Sequence, residues 1–339
     1  MQNLIFSLNA TMPVFLMMCL GWFLRRIGFL DDVFASRMNR FVFRVALPVL
    51  LFQDLATEDF FSVWDPGYVA FCFAATLLSI LLVTLCSLPI RDIPARGEFI
   101  QASYRSSAVL LGAAYIQNIY GNAGMTPLMI IGAVPLYNIA AVVILTLTAQ
   151  TAQSETRQMS SAAAQQSIPA SGSAVLPEAH RSSLILRTVR SILTNPILIG
   201  IAAGLFWSLL RLPLPAIPAK VVGYVSATAS PLGLIAMGAS IDFHKIGGQM
   251  RASLTAVFFK LIGLEALFLP LAMVLGFREE KLVAILVMLG SPTTVTSFVM
   301  AKEMGHDGAL SSGAVMITTI ISAFTLTFWI WLARSLGMI

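Results

Sequence analysis

The sequence predicts an all-α integral membrane protein of ten transmembrane helices, arranged as two inverted five-helix repeats. Three observations predict this fold class. The 339 residues are 58% hydrophobic and 11% charged, with a mean hydropathy of +0.85, a balance that is foreign to soluble domains of this length. Ten apolar segments approach the roughly 20 residues that a membrane-spanning helix requires. Single glycines and prolines also recur between the two halves of the chain at a constant spacing.

The first repeat, residues 1–149, holds five of these spans. They run from Leu4 to Leu24, Phe41 to Ala56, Tyr68 to Leu88, Phe99 to Ile119 and Pro127 to Thr148. The first span is long and lacks a basic leading region, so we expect a retained helix and not a signal peptide. The fourth span is weak because a polar run around Arg105 and a later glycine, Gly112, interrupt it.

Residues 150–190 separate the repeats and are predicted to form a flexible cytoplasmic loop. From Gln150 to Ser183 there is no aromatic residue, and Ser, Ala, Gln and Pro dominate. Such a composition cannot bury a core. A short amphipathic stretch, Leu184 to Leu193, follows and is expected to lie at the membrane surface.

The second repeat, residues 191–339, holds the other five spans. They run from Pro196 to Leu210, Val221 to Ile241, Leu254 to Gly276, Leu282 to Ala301 and Ala309 to Leu332. The ninth span carries Pro292 in its middle, within a run of Ser and Thr. A proline lacks the N–H that a continuous helix needs, and freed carbonyls are costly in lipid unless they face protein or a wet cavity. A broken helix near the bilayer midplane is therefore predicted.

The two halves align on each other at an offset of 183 residues. This offset places Pro13 on Pro196, Gly21 on Gly204 and Pro48 on Pro231. With one residue inserted, Ser107 falls on Ser291, so the fourth span aligns with the ninth. Because each half contains an odd number of spans, the halves must be inverted in the membrane. Inverted repeats with matching interrupted helices are typical of secondary transporters.

The charged loops indicate the orientation of the chain. Most of the 21 lysines and arginines lie in loops on one side of the predicted membrane, whereas the loop between the second and third spans carries only acidic charges. The excess of cations on cytoplasmic loops places both termini outside and the long loop in the cytoplasm. The cations are dispersed over short loops, so no nucleic-acid partner is expected and the lipid bilayer is the partner surface.

Several motifs together resemble the auxin efflux carrier family of bacterial permeases, relatives of the PIN-formed auxin carriers, over nearly the whole chain. They are Ala46-Leu47-Pro48 with Leu51-Phe52, Asn195-Pro196, the run Pro231 to Ser240, and Ser291-Pro292 followed by Ala301-Lys302. The resemblance implies a scaffold domain from spans one, two, six and seven and a transport domain from the others. It further implies that spans four and nine cross as broken helices in a multi-pass protein of the bacterial inner membrane, with a homodimer as one plausible assembly.

The resemblance implies small organic anions as substrates, such as dicarboxylates or auxin-like acids. Relatives tend to carry Arg-x-Asn and then Gly-x-Pro in the fourth span. Here Ser107 takes the place of the Asn and Ala114 that of the Pro, so the break in this span is expected to be softer or to rest on Gly112. Among the properties that the resemblance implies, the substrate type is the one that this departure affects most.

The candidate substrate-binding residues are those of the two breaks together with a polar residue of span five: Ser106, Ser107, Gly112, Asn138, Ser291, Pro292, Thr293 and Thr294. Free amides after Pro292 at the start of a half-helix would attract an anion. Asn138 could instead only bridge helices, and the threonines could satisfy carbonyls of their own helix.

Two ionisable residues inside span eight, Lys260 and Glu265, are candidates for charge compensation or coupling. The simpler alternative for Lys260 is an extended side chain that reaches the membrane interface. Glu265 lies five residues further, about 140° around an α-helix, so the two do not form an intrahelical pair.

Other function classes are weaker. No HExxH, GxSxG or phosphate-binding loop occurs, the three histidines lie in loops, and the three cysteines lack metal-ligand spacing, so no enzyme, cofactor or metal site is predicted. The alternative is a sodium- or proton-coupled ion exchanger of similar inverted-repeat architecture, which would normally carry acidic residues in or beside the interrupted helices. A channel is a third reading, which saturable, countertransport-sensitive flux would exclude.

Overall fold

A computed structural model describes residues 2–57, 64–108, 116, 119–120, 125–165, 190, 193–211 and 213–339. Across these ranges all regular secondary structure is helical. Five of the described helical segments are long and apolar enough to cross a membrane: Pro66–Cys86, Thr126–Thr151, Ala216–Ala239, Met250–Val274 and Ala309–Ser335. The all-helical, multi-pass membrane class expected from the composition is thereby confirmed.

The first half contains six helices in the described ranges. They are α1 (Gln2–Arg26), α2 (Asp32–Phe41), α3 (Leu47–Ala56), α4 (Pro66–Cys86), α5 (Ile93–Tyr104) and α6 (Thr126–Gln165). The π-helical turn Val42–Ala46 joins α2 to α3 without a break. The second span therefore begins at Asp32, where Asp31 caps the helix by accepting the amide of Phe34 at 2.6 Å.

The second half contains eight helices in the described ranges. They are α7 (Pro196–Leu209), α8 (Ala216–Ala239), α9 (Phe243–Gly248), α10 (Met250–Phe258), α11 (Leu264–Val274), α12 (Glu279–Gly290), α13 (Thr296–Glu303) and α14 (Ala309–Ser335). A second π-helical turn, Phe259–Gly263, joins α10 to α11, and Lys260 lies inside it. Such turns are rare and often occur at functional sites.

The segment between the repeats is only partly described. Helix α6 continues to Gln165, so the beginning of the segment expected to be a flexible loop is helical. Residues 166–189, which include most of the expected amphipathic stretch Leu184 to Leu193, lie outside the described residues.

Glycines allow two helix pairs to pack backbone against backbone. Gly21 of α1 lies against the backbone of Ile235 in α8, and Gly204 of α7 lies against the backbone of Phe52 in α3. A Cβ atom at Gly204 would come within 2.9 Å of the Phe52 carbonyl oxygen. Small residues at such crossings permit the close approach that holds membrane helices together. These two contacts fix α1 to α8 and α3 to α7.

Candidate functional site

Two helix interruptions meet in the interior of the protein. Helix α5 ends at Tyr104 and α12 ends at Gly290, and α13 begins only at Thr296. The residue before a proline is driven out of the α region, and Ser291 accordingly is extended, with φ −65° and ψ 152°. Across the gap, the amide of Ser107 donates to the carbonyl oxygen of Pro292 at 2.9 Å. The breaks that the sequence aligned with each other are therefore in direct contact.

Side chains from other elements satisfy the carbonyls that the break leaves at the end of α12. The Met288 oxygen accepts the hydroxyls of Ser106 at 2.5 Å and Tyr137 at 3.1 Å, and the Leu289 oxygen accepts from the Lys260 ammonium. The last carbonyls of any helix lack partners within it and must find them elsewhere. Residues from α6, the α5 break and the π-helical turn thus hold this half-helix end in place.

Lys260 is fully buried and reaches into the protein interior. Besides the Leu289 carbonyl, its ammonium donates to the Ser106 hydroxyl at 2.5 Å. A cation at a helix C-terminus is favoured because that end carries roughly half a negative charge. The side chain does not extend to the membrane surface. It lies behind Ser106, on the far side of the cavity wall.

A small cavity of about 70 Å³ opens beside the two breaks. A single water molecule needs about 10–15 Å³ of such space, so the cavity has room for a solute of a few heavy atoms. Its walls come from α3, α6, α7, α8 and the two interruptions. The lining residues are Leu47, Leu50, Leu51, Asp54, Arg105, Ser106, Ser107, Val134, Tyr137, Asn138, Ile197, Ser230, Thr294 and Thr296.

Arg105 is the cationic residue of this lining, and it is 2% exposed. Its guanidinium donates at 2.7 Å to both the Asn138 side-chain oxygen and the Thr296 hydroxyl, and its other contacts are to Gln101 and Met300. All of these partners are neutral, and the Nε–H has no partner within the described part of the chain. A buried charge of this kind is costly unless an opposite charge or further hydrogen bonds compensate it.

Sequence reasoning placed Arg105 in the polar run that interrupts the fourth span and did not include it in the site. The signal that could have found it was the run Arg105-Ser106-Ser107, which keeps the Arg of the resembled family's Arg-x-Asn pattern although Ser107 replaces the Asn. The wall also holds one carboxylate, Asp54 of α3, which already takes part in an interaction of its own.

Four of the sequence-based candidates line the cavity: Ser106, Ser107, Asn138 and Thr294. Three others, Ser291, Pro292 and Thr293, are buried behind its wall and shape the break. The Thr293 amide donates to the Thr318 hydroxyl at 3.1 Å, and the Thr293 hydroxyl donates to the Ala102 carbonyl at 2.8 Å. Both polar groups of Thr293 are therefore used within the protein.

The remaining two candidates lie away from the cavity wall or beyond the described structure. Gly112 lies outside the described residues. Glu265 is fully buried in the first turn of α11, behind the end of α12, and is not part of the lining.

The start of α13 also faces the cavity. Thr294 and Thr296 both line it, and the Thr296 hydroxyl donates to the Thr294 hydroxyl at 3.3 Å. A helix N-terminus carries roughly half a positive charge and offers amide donors to anions. One guanidinium, one helix N-terminus and several hydroxyls therefore converge on the same small space.

Comparison with known proteins identifies the family to which the chain belongs. A family model described as "Membrane transport protein" matches residues 6–330. The chain is 23% identical to an "Uncharacterized transporter" of Methanothermobacter thermautotrophicus, over 95% of this chain and 97% of the relative. It is 25% identical to a "Putative malonate transporter" of Rhizobium meliloti, over 96% of each. The resemblance to the auxin efflux carriers is confirmed, and the chain belongs to this family of membrane transport proteins.

Proposed function

We propose that the protein is a secondary transporter that moves a small organic anion across the membrane by alternating access. The observation that carries this proposal is the buried guanidinium of Arg105 in the cavity between the breaks, with an Nε–H that has no partner in the described residues. A bound carboxylate would compensate the charge and accept that hydrogen. A hydrogen bond between a guanidinium and a carboxylate is charge-assisted and therefore strong.

The rest of the lining suits an anion. Ser107 and Thr294 add hydroxyl donors, and the N-terminus of α13 adds a favourable partial charge. Asn138 and Thr296 hold the guanidinium in place, and a fixed donor loses less freedom on binding than a mobile one. Asp54 stands on the opposing α3 wall, and we expect it to limit how close a second carboxylate of the substrate can approach that wall.

We propose a short dicarboxylate as the substrate class, with malonate as the first compound to test. The small cavity supports a compound of a few heavy atoms. The name of the Rhizobium relative, which is similar along nearly its whole length, supports the same choice. An auxin-like aromatic acid would need the cavity to widen as α3 moves away from the breaks.

For the architecture we propose ten transmembrane helices in two inverted repeats, with α1 to α3, α7 and α8 as the scaffold. The glycine contacts support this arrangement. The offset of 183 residues places Gly21 on Gly204 and Phe52 on Ile235. The contact of Gly21 with Ile235 and the contact of Gly204 with Phe52 are therefore equivalent in the two repeats. The orientation with both termini outside and the location in a bacterial inner membrane rest on the loop charges and on the resemblance.

Uptake into liposomes tests the function directly. Purified protein reconstituted with internal malonate should accumulate labelled external malonate with saturable kinetics, because a carrier exchanges substrate across its two faces. Flux that does not saturate and does not depend on the internal malonate concentration would indicate a channel. Sodium or proton flux that needs no organic substrate would favour the ion exchanger.

Replacing Pro292 with alanine should weaken malonate binding at least about tenfold, while changing the melting temperature by only a few degrees. Alanine removes the restriction on Ser291, so the helix can continue through the gap and shift Thr294 and Thr296 away from the cavity. The affinity can be measured by calorimetry in detergent.

The matched control is Pro270→Ala, because Pro270 lies inside the unbroken α11 on its exposed side. This variant should keep the affinity of the parent protein. Equal affinity in Pro292→Ala and the parent would contradict the role given to the break.

A further inference from the structure

Besides Lys260, a second ionisable residue, Glu265, lies behind the cavity, and the proposed anion site does not involve it. Glu265 is fully buried in the first turn of α11, and neither of its carboxyl oxygens has a hydrogen-bond partner in the described part of the protein. The carboxyl packs against Gly290, the last residue of α12, so closely that a Cβ atom at Gly290 would overlap it. The group therefore touches the helix end that forms the break.

The charged residue nearest to Glu265 along the chain is Lys260 of the π-helical turn. In such a turn residues five apart lie on the same face, since the hydrogen bonds run from i to i+5. The Lys260 ammonium nevertheless donates hydrogen bonds to the Leu289 carbonyl and the Ser106 hydroxyl, and the Glu265 carboxyl accepts none. The carboxyl has a cation nearby but no direct partner.

Helix α4, which packs against α11, carries Tyr68 and Cys72, whereas polar groups of α14 and α5 have hydrogen-bond partners other than Glu265. The Trp329 indole of α14 donates to the Leu261 carbonyl at 3.1 Å. On α5, the Glu98 carboxylate accepts the amides of Gly308 and Ser311 at 2.8 and 2.9 Å. The α5 cap residue Arg105 points to Asn138 and Thr296, as described above.

Lys260 occupies a half-helix C-terminal end, the kind of position that binds sodium in other broken-helix transporters. In broken-helix transporters, unwound carbonyls and half-helix C-terminal ends coordinate sodium. Here the ammonium of Lys260 binds the Leu289 carbonyl at the C-terminal end of α12. A single carboxyl group is enough to bind a proton, and Glu265 provides such a group.

We propose that Glu265 is a proton-coupling site, and that it takes up one proton from solution when a carboxylate binds in the cavity. This inference rests on the proposed function. In the step, the Glu265 carboxylate forms an O–H bond with a solvent proton, and the added positive charge offsets one negative charge of the substrate. Anion and proton cross together and leave together, so transport is proton-coupled and independent of sodium.

The coupling has a short physical path. The Ser106 hydroxyl lies in the cavity wall and accepts a hydrogen bond from the Lys260 ammonium. The same ammonium donates to the Leu289 carbonyl. The residue after Leu289, Gly290, contacts the Glu265 carboxyl. A negative charge in the cavity disfavours a second negative charge on the buried carboxyl. By linkage, the anion and the proton then raise each other's affinity by the same factor.

Malonate binding measured against pH tests this inference. Between about pH 7 and 9 both carboxyls of malonate are ionised, since ordinary carboxyl groups titrate near pH 4. In the purified full-length protein, the Kd should rise with pH by up to tenfold per pH unit, because the proposed step takes up one proton. Replacing sodium with choline should change nothing. Glu265→Gln, a permanent mimic of the protonated form, should bind malonate with the same Kd throughout.

Glu279→Gln is the matched control, because it removes a carboxyl from an exposed position at the start of α12. It should keep the pH slope of the parent protein. A pH-indicator dye in weak buffer gives a second readout, with about one proton taken up per malonate bound by the parent and none by Glu265→Gln.

Malonate binding by the parent without proton uptake would overturn the coupling proposal and leave the anion site standing, even if Glu265→Gln does not fold. A parental pH slope that persists in Glu265→Gln, or a dependence on sodium, would also overturn it. Absence of malonate binding at every pH would refute the anion site itself and the coupling with it.

Discussion

Replacing Arg105 with glutamine is expected to weaken malonate binding about a hundredfold. Hydrogen bonds to charged groups contribute about 1.5–3 kcal/mol each, so losing the Nε–H contact together with the charge costs about 3 kcal/mol, or about two orders of magnitude in Kd. Glutamine keeps one amide donor for the neighbouring Asn138 and Thr296, but it supplies neither the charge nor the Nε–H donor. The fold should tolerate the change, because a buried charge is removed.

Calorimetry of three variants separates this effect from a general loss of charge. Arg105→Lys should recover part of the affinity, since an ammonium keeps the charge but not the planar fork. Arg251→Gln removes an exposed arginine of α10 and should bind like the parent. Parental affinity in Arg105→Gln would exclude Arg105 from the site.

Replacing Lys260 with methionine is expected to abolish malonate uptake while the protein remains folded and inserted. Methionine fills a similar volume but donates no hydrogen bond, so the Leu289 carbonyl at the end of α12 loses its cation and Ser106 loses a donor. The negative end of α12 would then lie uncompensated beside the anion cavity. We expect the break to lose the geometry that holds Ser106 and Ser107 in the wall.

Liposome uptake and membrane yield of the Lys260 variant are the measurements. Lys220→Met is the control, because Lys220 lies on the exposed side of α8. It should transport like the parent protein. Normal uptake by a well-expressed Lys260→Met protein would mean that the lysine contributes only to packing.

The break in the ninth span could be predicted because its cause is local. Pro292 has no N–H and forces Ser291 out of the helical region, whatever surrounds it. The interruption of the fourth span could also be predicted, from its polar residues and from the alignment of Ser107 with Ser291. The contact between Ser107 and Pro292 agrees with that alignment, although the offset alone could not supply its geometry.

Other features depend on partners far away in the sequence and carry no local signal. Thr293 was expected to offer an amide to the substrate, yet that amide binds Thr318, which belongs to another helix. The π-helical turn at Lys260 has no evident local signal, since Phe259–Gly263 has an ordinary apolar composition apart from the lysine. The burial of Arg105 likewise depends on Asn138 and Thr296, which reach it from two other elements.

The central claim, that a small organic anion binds between the two breaks, is tested most directly by substrate protection of single cysteines. In a background without Cys19, Cys72 and Cys86, cysteine replaces Ser107 or Thr294 in the cavity wall, or Ser335 at the exposed end of α14. We predict that malonate slows alkylation at positions 107 and 294 in a saturable manner and leaves position 335 unaffected. Alkylation that malonate and other dicarboxylates do not slow, or that only sodium or a neutral solute slows, would contradict the account.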